Sequence, residues 1–239
     1  MSDGVLLFVV LPYLGMALAI VGTVYRFKYR KFSVSSLSTQ LLENRKLFWG
    51  SISFHWGIVA ILTGHLLALL VPVGFQAWNG SPVRLYLLEI TGFALGLWAL
   101  GGLVVLIYRR FTSRRIRVVT TPMDFVVLTL LFAQIVTGLW IAGGYRWGSF
   151  WGTGVFVPWI WSLVTLRPKP ELVAHIPLVL QTHVTLFWMF LVVFPFTRLV
   201  HIITAPFQYV TRPWQLLSWF RRDRVTPKQE IPTRVRTGV

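Results

Sequence analysis

Four histidines sit inside otherwise apolar runs, His55 and His65 ten residues apart in FHWGIVAILTGH (54–65), and His183 and His201 eighteen apart in THVTLFWMFLVVFPFTRLVH (182–201). An imidazole in such surroundings costs free energy unless something binds it. The chain has no cysteine, which excludes thiolate-held iron–sulfur clusters, covalently attached c-type haem and disulfides. Any metal must therefore be held by histidine or carboxylate. Zinc asks for four protein donors, or three and a water, and two imidazoles in an apolar cleft fall short of that. Haem brings four nitrogens of its own and leaves two axial positions, the number that a pair of histidines supplies. Against this stands the plainer reading that an isolated membrane histidine is hydrogen-bonded or lines a cavity. Choosing between them depends on the elements that position the rings.

With 55% hydrophobic residues, a mean hydropathy of +0.67 and only seven carboxylates in 239 residues, the chain is an all-α, polytopic membrane helix bundle. About 20 apolar residues cross a bilayer core, and five segments qualify: roughly 5–25, 48–71, 84–108, 123–143 and 176–204. The start, MSDGVLLFVV, has no basic stretch of the signal-peptide kind and is expected to be retained. Basic residues near a membrane stay on the cytoplasmic side. Segment 26–46 carries six Lys/Arg, Arg109–Arg117 five and the region after the last span seven, against one in 72–84 and three in 144–175. Five transmembrane helices with the N-terminus outside and the C-terminus cytoplasmic follow, with residues 1–211 as the membrane domain and 212–239 as a basic cytoplasmic tail. The net charge of +16 is thus largely membrane topology. No nucleic-acid motif accompanies it, but 18 basic residues on one face suit an acidic cytoplasmic partner.

Residues 150–166, FWGTGVFVPWIWSLVTL, are apolar but short and Pro-broken, and a sixth span there would move the basic tail outside. The segment is expected to be interfacial or re-entrant on the outer face, with Trp147, Trp151, Trp159 and Trp161 at headgroup depth. The loop 26–46 is polar and expected to be partly helical, and TTPMD (120–124) reads as a helix cap and first turn. Gly92 and Gly96 form GxxxG, followed by Gly101 and Gly102, a pattern for close helix packing. The tail, rich in Pro, Arg and Thr, is expected to lack structure without a partner.

In this topology the second span runs outward and the fifth inward, so His55 and His201 pair near the inner face and His65 and His183 near the outer one. Two depth-matched pairs on antiparallel helices favour axial ligation over isolated hydrogen-bonded rings. One mismatch remains, because eighteen helical residues rise about 27 Å on one face whereas ten rise about 15 Å and turn by about −80°. Either the helices tilt strongly, or Pro195 kinks the fifth span and shortens its reach.

The chain resembles the gamma subunit of respiratory nitrate reductase, a membrane dihaem cytochrome b, through SSLSTQLLENRK, FHWGIVAILTGHLLALLVP, SRRIRVVTTPMDFVVL and, above all, THVTLFWMFLVVFPFTRLVHIITAPFQYVTRPWQL with its PFxRLxH element. The resemblance implies a five-span bundle in the cytoplasmic (inner) membrane, with two haem b groups held by His65 and His183 outside and by His55 and His201 inside. It implies quinol as substrate, oxidised near the outer haem, and electrons leaving to an iron–sulfur beta subunit and then to a molybdenum-containing alpha subunit. It places a basic residue, usually lysine, at the outer start of the third span. Arg84 stands there, with His65 and Gly64 as further candidates for the quinol pocket. Guanidinium is a wider, fork-shaped donor than ammonium; without the resemblance Arg84 reads as snorkelling to the headgroups. Arg198, three residues before His201, is a candidate partner for an inner haem propionate or a second snorkelling residue, and His175 is expected at the outer surface. Other readings are a related cytochrome b subunit of another reductase, including one of sulfur metabolism, a haem-free transporter or channel, and a structural anchor.

Overall fold

The structure, a computed structural model, describes residues 3–30 and 45–202. The expectations for the rest of the 26–46 loop and for the tail 212–239 lie outside the described residues. The described residues form helices joined by turns, with no strand among them. In chain order these are α1 (Asp3–Val5), a π turn (Leu6–Val10), α2 (Leu11–Tyr29), α3 (Arg45–Leu70), α4 (Pro72–Asn79), α5 (Pro82–Thr112), α6 (Arg114–Val118), α7 (Pro122–Gly144), α8 (Gly148–Val164), α9 (Glu171–Ala174) and α10 (Leu178–Val193). Two 3-10 turns, Phe194–Phe196 and Arg198–Ile202, follow α10. Five stretches are long and apolar enough to cross a membrane: Leu6–Tyr29, Lys46–Leu70, Pro82–Thr112, Pro122–Gly144 and Leu178–Phe196. They correspond to the five expected spans, the last ending earlier than the sequence indicated.

Proline opens α4, α5 and α7, where its missing N–H costs nothing. At α7 the TTPMD reading holds: the Thr121 backbone N–H donates to Asp124 Oδ2 at 2.9 Å, and the carboxylate sits at the positive end of the helix dipole.

The most extensive helix pair is α3 with α5, and small residues let the two backbones meet. A Cβ on Gly57 would lie 2.7 Å from Leu95 O, and one on Gly102 would lie 2.5 Å from Phe54 N. Phe54, Ala99, Leu103 and Ile135 fill the core between α3, α5 and α7. The expected GxxxG is only half used. Gly96 packs on Leu139, whereas a Cβ on Gly92 or Gly101 would meet nothing within 4 Å.

A second core joins α2, α8 and α10 through Phe8, Trp159, Leu163, Val173 and Trp188. It corrects the expectation for Trp159, which is 1% exposed rather than turned to the headgroups. The Trp159 indole Nε1 donates to Phe8 O at 3.3 Å, in the π turn that precedes Pro12. Trp161 and Trp147 are exposed. The 17-residue α8 lies across one end of the bundle, bonded through Trp161 Nε1 to Leu69 O and through Thr153 Oγ1 to Gln76.

Of the two explanations for the uneven histidine spacing, the break at Pro195 is the one found. Helix α10 ends at Val193, and the chain passes through a 3-10 turn and an extended Thr197 (φ −102°, ψ 171°) before the turn that carries His201. Breaking a helix inside an apolar bundle strands carbonyls. Arg26 Nη1 donates to two of them, Pro195 O at 2.8 Å and Thr197 O at 2.6 Å. Gly22 leaves room for the Pro195 ring, since a Cβ there would lie 2.6 Å from Pro195 Cβ.

Candidate functional site

At the end of the bundle where Arg26 meets Pro195, the chain break turns His201 toward α3. The His55 and His201 rings lie with centroids 6.4 Å apart and planes inclined by 60°. A histidine nitrogen bonds a metal at about 2 Å and sits about 1 Å from the centre of its own ring, so two imidazoles on opposite faces of one iron have centroids roughly 6 Å apart. The observed spacing is close to that value, and it also falls in the range of ordinary ring–ring contacts.

The orientation of each ring fixes which nitrogen is offered. His55 Nδ1 donates to Ser51 O at 2.7 Å, and His201 Nδ1 to Arg198 O at 2.8 Å. A carbonyl only accepts, so in the neutral ring Nδ1 carries the proton and Nε2 the lone pair. His65 follows the same rule, its Nδ1 donating to Ile61 O at 2.9 Å. His183 reaches it by another route. Thr137 Oγ1 gives its own proton to Ala133 O and accepts from His183 Nδ1 at 2.9 Å. In all four histidines Nδ1 is thus held by a hydrogen bond, as in metal-ligating histidines, and Nε2 carries the lone pair.

The pair at the opposite end is built differently. His65 lies within electrostatic range of His183, but the two rings make no contact of the His55–His201 kind. His183 Nε2 accepts from the Gln134 amide at 3.2 Å, and Gln134 Oε1 is a buried acceptor with no partner. Gly138 lies directly under the ring: a Cβ there would be 3.0 Å from His183 Cε1. Beside His65, Gly64 leaves bare backbone, and a Cβ added to it would meet nothing within 4 Å. Among the described residues no three His, Cys, Asp or Glu side chains converge to hold a bare metal ion. Two histidines at each end, with Nδ1 engaged and Nε2 carrying the lone pair, suit a group that brings further donors of its own, provided that His183 Nε2 exchanges the Gln134 amide for it.

The remaining candidates are engaged in unforeseen ways. Arg84 Nε donates to Trp78 O at 2.8 Å and Nη2 to Ala77 O at 3.3 Å, with the guanidinium over the Trp78 ring at 5.2 Å, so it closes the C-terminal end of α4. Arg198 pairs through Nε with Asp124 Oδ1 at 3.3 Å and donates to Val119 O at 2.9 Å. Arg110 reaches the other Asp124 oxygen at 3.0 Å, which ties the His201 turn to α5 and α7. His175 is exposed, beside a cleft of about 470 Å³ that Glu171 and Gln181 also line. Sequence reading missed Thr137, Gln134, Arg26 and Asp124 as supports of the histidines. It also passed over Glu89, whose signal was plain: a carboxylate inside the third span.

Comparison with known proteins adds the following. The sequence model of the family described as nitrate reductase gamma subunit matches residues 4–220. The nitrate reductase gamma chain of Bacillus subtilis (strain 168) is 32% identical over 220 residues, covering 89% of this chain and 96% of that protein. In Escherichia coli (strain K12), the respiratory nitrate reductase 2 gamma chain is 32% identical over 211 residues, 86% of this chain and 92% of the relative. The respiratory nitrate reductase 1 gamma chain of the same strain is 30% identical over 214 residues, covering 88% and 95%.

Proposed function

The chain belongs to the nitrate reductase gamma subunit family, and from that premise we propose that it is a membrane dihaem cytochrome b that oxidises quinol near the outer face and delivers the electrons to the cytoplasmic side. His55 and His201 would hold the inner haem b, and His65 and His183 the outer one. Each haem supplies a one-electron carrier. The observation that carries this reading is the 6.4 Å spacing of the His55 and His201 rings, each with Nδ1 committed to a carbonyl. The charge pattern supports an outward N-terminus and a basic cytoplasmic face in the inner membrane. Onto that face would dock an iron–sulfur beta subunit and, through it, a molybdenum-containing alpha subunit, which reduces the nitrate.

The residues of the chain do the rest. Thr137 and the carbonyls of Ser51, Ile61 and Arg198 fix the imidazole tautomers. Arg26 and Asp124 hold the broken end of the fifth span so that His201 faces His55. A propionate of the inner haem would compete with Asp124 for Arg198. At the outer end His65, Gly64 and Arg84 border the quinol site, with Arg84 donating to a quinol oxygen from its place at the end of α4.

Stopped-flow mixing with a quinol analogue tests this reading, and a wild-type chain whose chromophore quinol cannot reduce refutes it. In the Arg84→Ala variant both haems should remain, and reduction should slow on the order of tenfold to a hundredfold, the worth of a charge-assisted hydrogen bond felt in the rate-limiting step. Arg84→Lys should restore much of the rate. An unchanged rate in the alanine variant removes Arg84 from the site and leaves it as the cap of α4.

A further inference from the structure

Two carboxylates fall within the five candidate spans, Glu89 and Asp124, and of the two only Asp124 has a cation beside it among the described residues. Glu89 is seven residues into α5, about 10 Å along the helix from its start. A carboxylate at such depth is expensive and asks for a functional reason. The antiparallel register of α3 and α5 fixes its level. Gly50 and Phe54 face Gly102, Gly57 faces Leu95 and Ala99, and Ile61 reaches Gly96. Continued at the same register, the α3 turn holding Gly64 and His65 comes level with Glu89.

The surroundings of Glu89 are polar and firmly built. Its Oε1 accepts from Ser149 Oγ at 3.1 Å and from Ser149 N at 3.4 Å, at the start of α8. The left-handed Trp147 (φ 64°) that precedes α8 packs on Tyr86 at 5.0 Å. Asn79, 3% exposed, donates to Ser149 O at 3.2 Å, while its own Oδ1 is buried with no donor. A carboxyl group and an unsatisfied amide oxygen meeting on one serine form a station with surplus acceptors, suited to receive a hydroxyl proton.

We propose that Glu89 is the proton acceptor for quinol at the outer end of the bundle, an inference that rests on the quinol-oxidising reading above. The quinol O–H bond breaks, its proton passing to the Glu89 carboxylate while one electron passes to a ferric haem iron, the oxidant of that reading. Two such events remove two protons and two electrons and leave the quinone. Between them Glu89 returns its proton to the outer surface past Ser149 and Asn79. The other charged or titratable groups at this end include Arg84 and Tyr86 on α5, His65 on α3, His183 on α10, Tyr145 and Arg146 leading into α8, and Arg167, Lys169, Glu171 and His175 after it; α4 and α8 carry none.

Glu89→Gln separates this role from that of a helix cap, because the glutamine oxygen still accepts from Ser149 but takes up no proton. In wild type the rate of haem reduction by a quinol analogue should rise with pH. In the Gln variant it should be about a hundredfold lower, as for loss of a general base, and that limb of the pH profile should vanish. Haem content, thermal midpoint and reduction by dithionite should match wild type, and a carboxyl band in the redox infrared difference spectrum should be lost. A Gln variant with the wild-type rate, pH profile and infrared spectrum overturns the proposal and leaves Glu89 as the cap of α8. Loss of a haem in that variant also overturns it. A wild-type chain without haem, or one that quinol does not reduce, brings down the parent reading together with this one.

Discussion

His201→Ala is expected to yield a chain that binds one haem instead of two, and His55→Ala to remove that same haem. The two rings stand 6.4 Å apart between centroids, and in each Nε2 carries the lone pair because Nδ1 is committed to a carbonyl. Removing either leaves an iron with one protein ligand in an apolar site. His65→Ala and His183→Ala should instead remove the other haem, since the two ends of the bundle share no ligand. Redox titration of the four variants should show one surviving transition in each, identical within a pair and different between pairs. If His201→Ala and His65→Ala eliminated the same transition, the pairing would be wrong.

Gly102→Ala should be the most damaging conservative change in the helices. The added methyl would stand 2.5 Å from Phe54 N, 2.7 Å from Gly50 O and 2.9 Å from Ser53 Cβ. Two of those atoms are backbone, which cannot rotate aside, so α3 must move away from α5 as a body. Overpacking of this kind costs about 1–3 kcal/mol or more. Because Phe54 adjoins His55, the displacement carries that proposed haem ligand with it. Thermal denaturation in detergent should show a clear loss of stability, together with a shifted or missing inner haem signal. Gly101→Ala is the matched control: its methyl would meet nothing within 4 Å, and alanine favours the helix by about 1 kcal/mol over glycine. Equal behaviour of the two variants would contradict the close α3–α5 seam.

Much of this was legible along the chain. Hydropathy located the spans because crossing a bilayer needs a continuous apolar length, and the cap at Thr121–Asp124 could be read because its residues are neighbours. The histidines stood out because a polar ring is costly in apolar surroundings. What stayed hidden depends on partners distant in sequence. Pro195 offered two outcomes, and the helix breaks there because Gly22 and Arg26, from the first span, accommodate the ring and satisfy the freed carbonyls. Trp159 has the composition of an interfacial residue, yet it is buried against Phe8 and Trp188 with its indole N–H on Phe8 O. Arg198 shares a turn with His201, but its carboxylate partner, Asp124, lies on another span. The clash beneath Gly102 belongs to the register of two helices, which glycine spacing on one of them does not reveal.

The central claim is that the four histidines hold two haems. Pyridine haemochrome determined against protein concentration, on the purified chain, measures this directly. Two b-type haems per chain is the predicted result, and a ratio near zero would contradict the account.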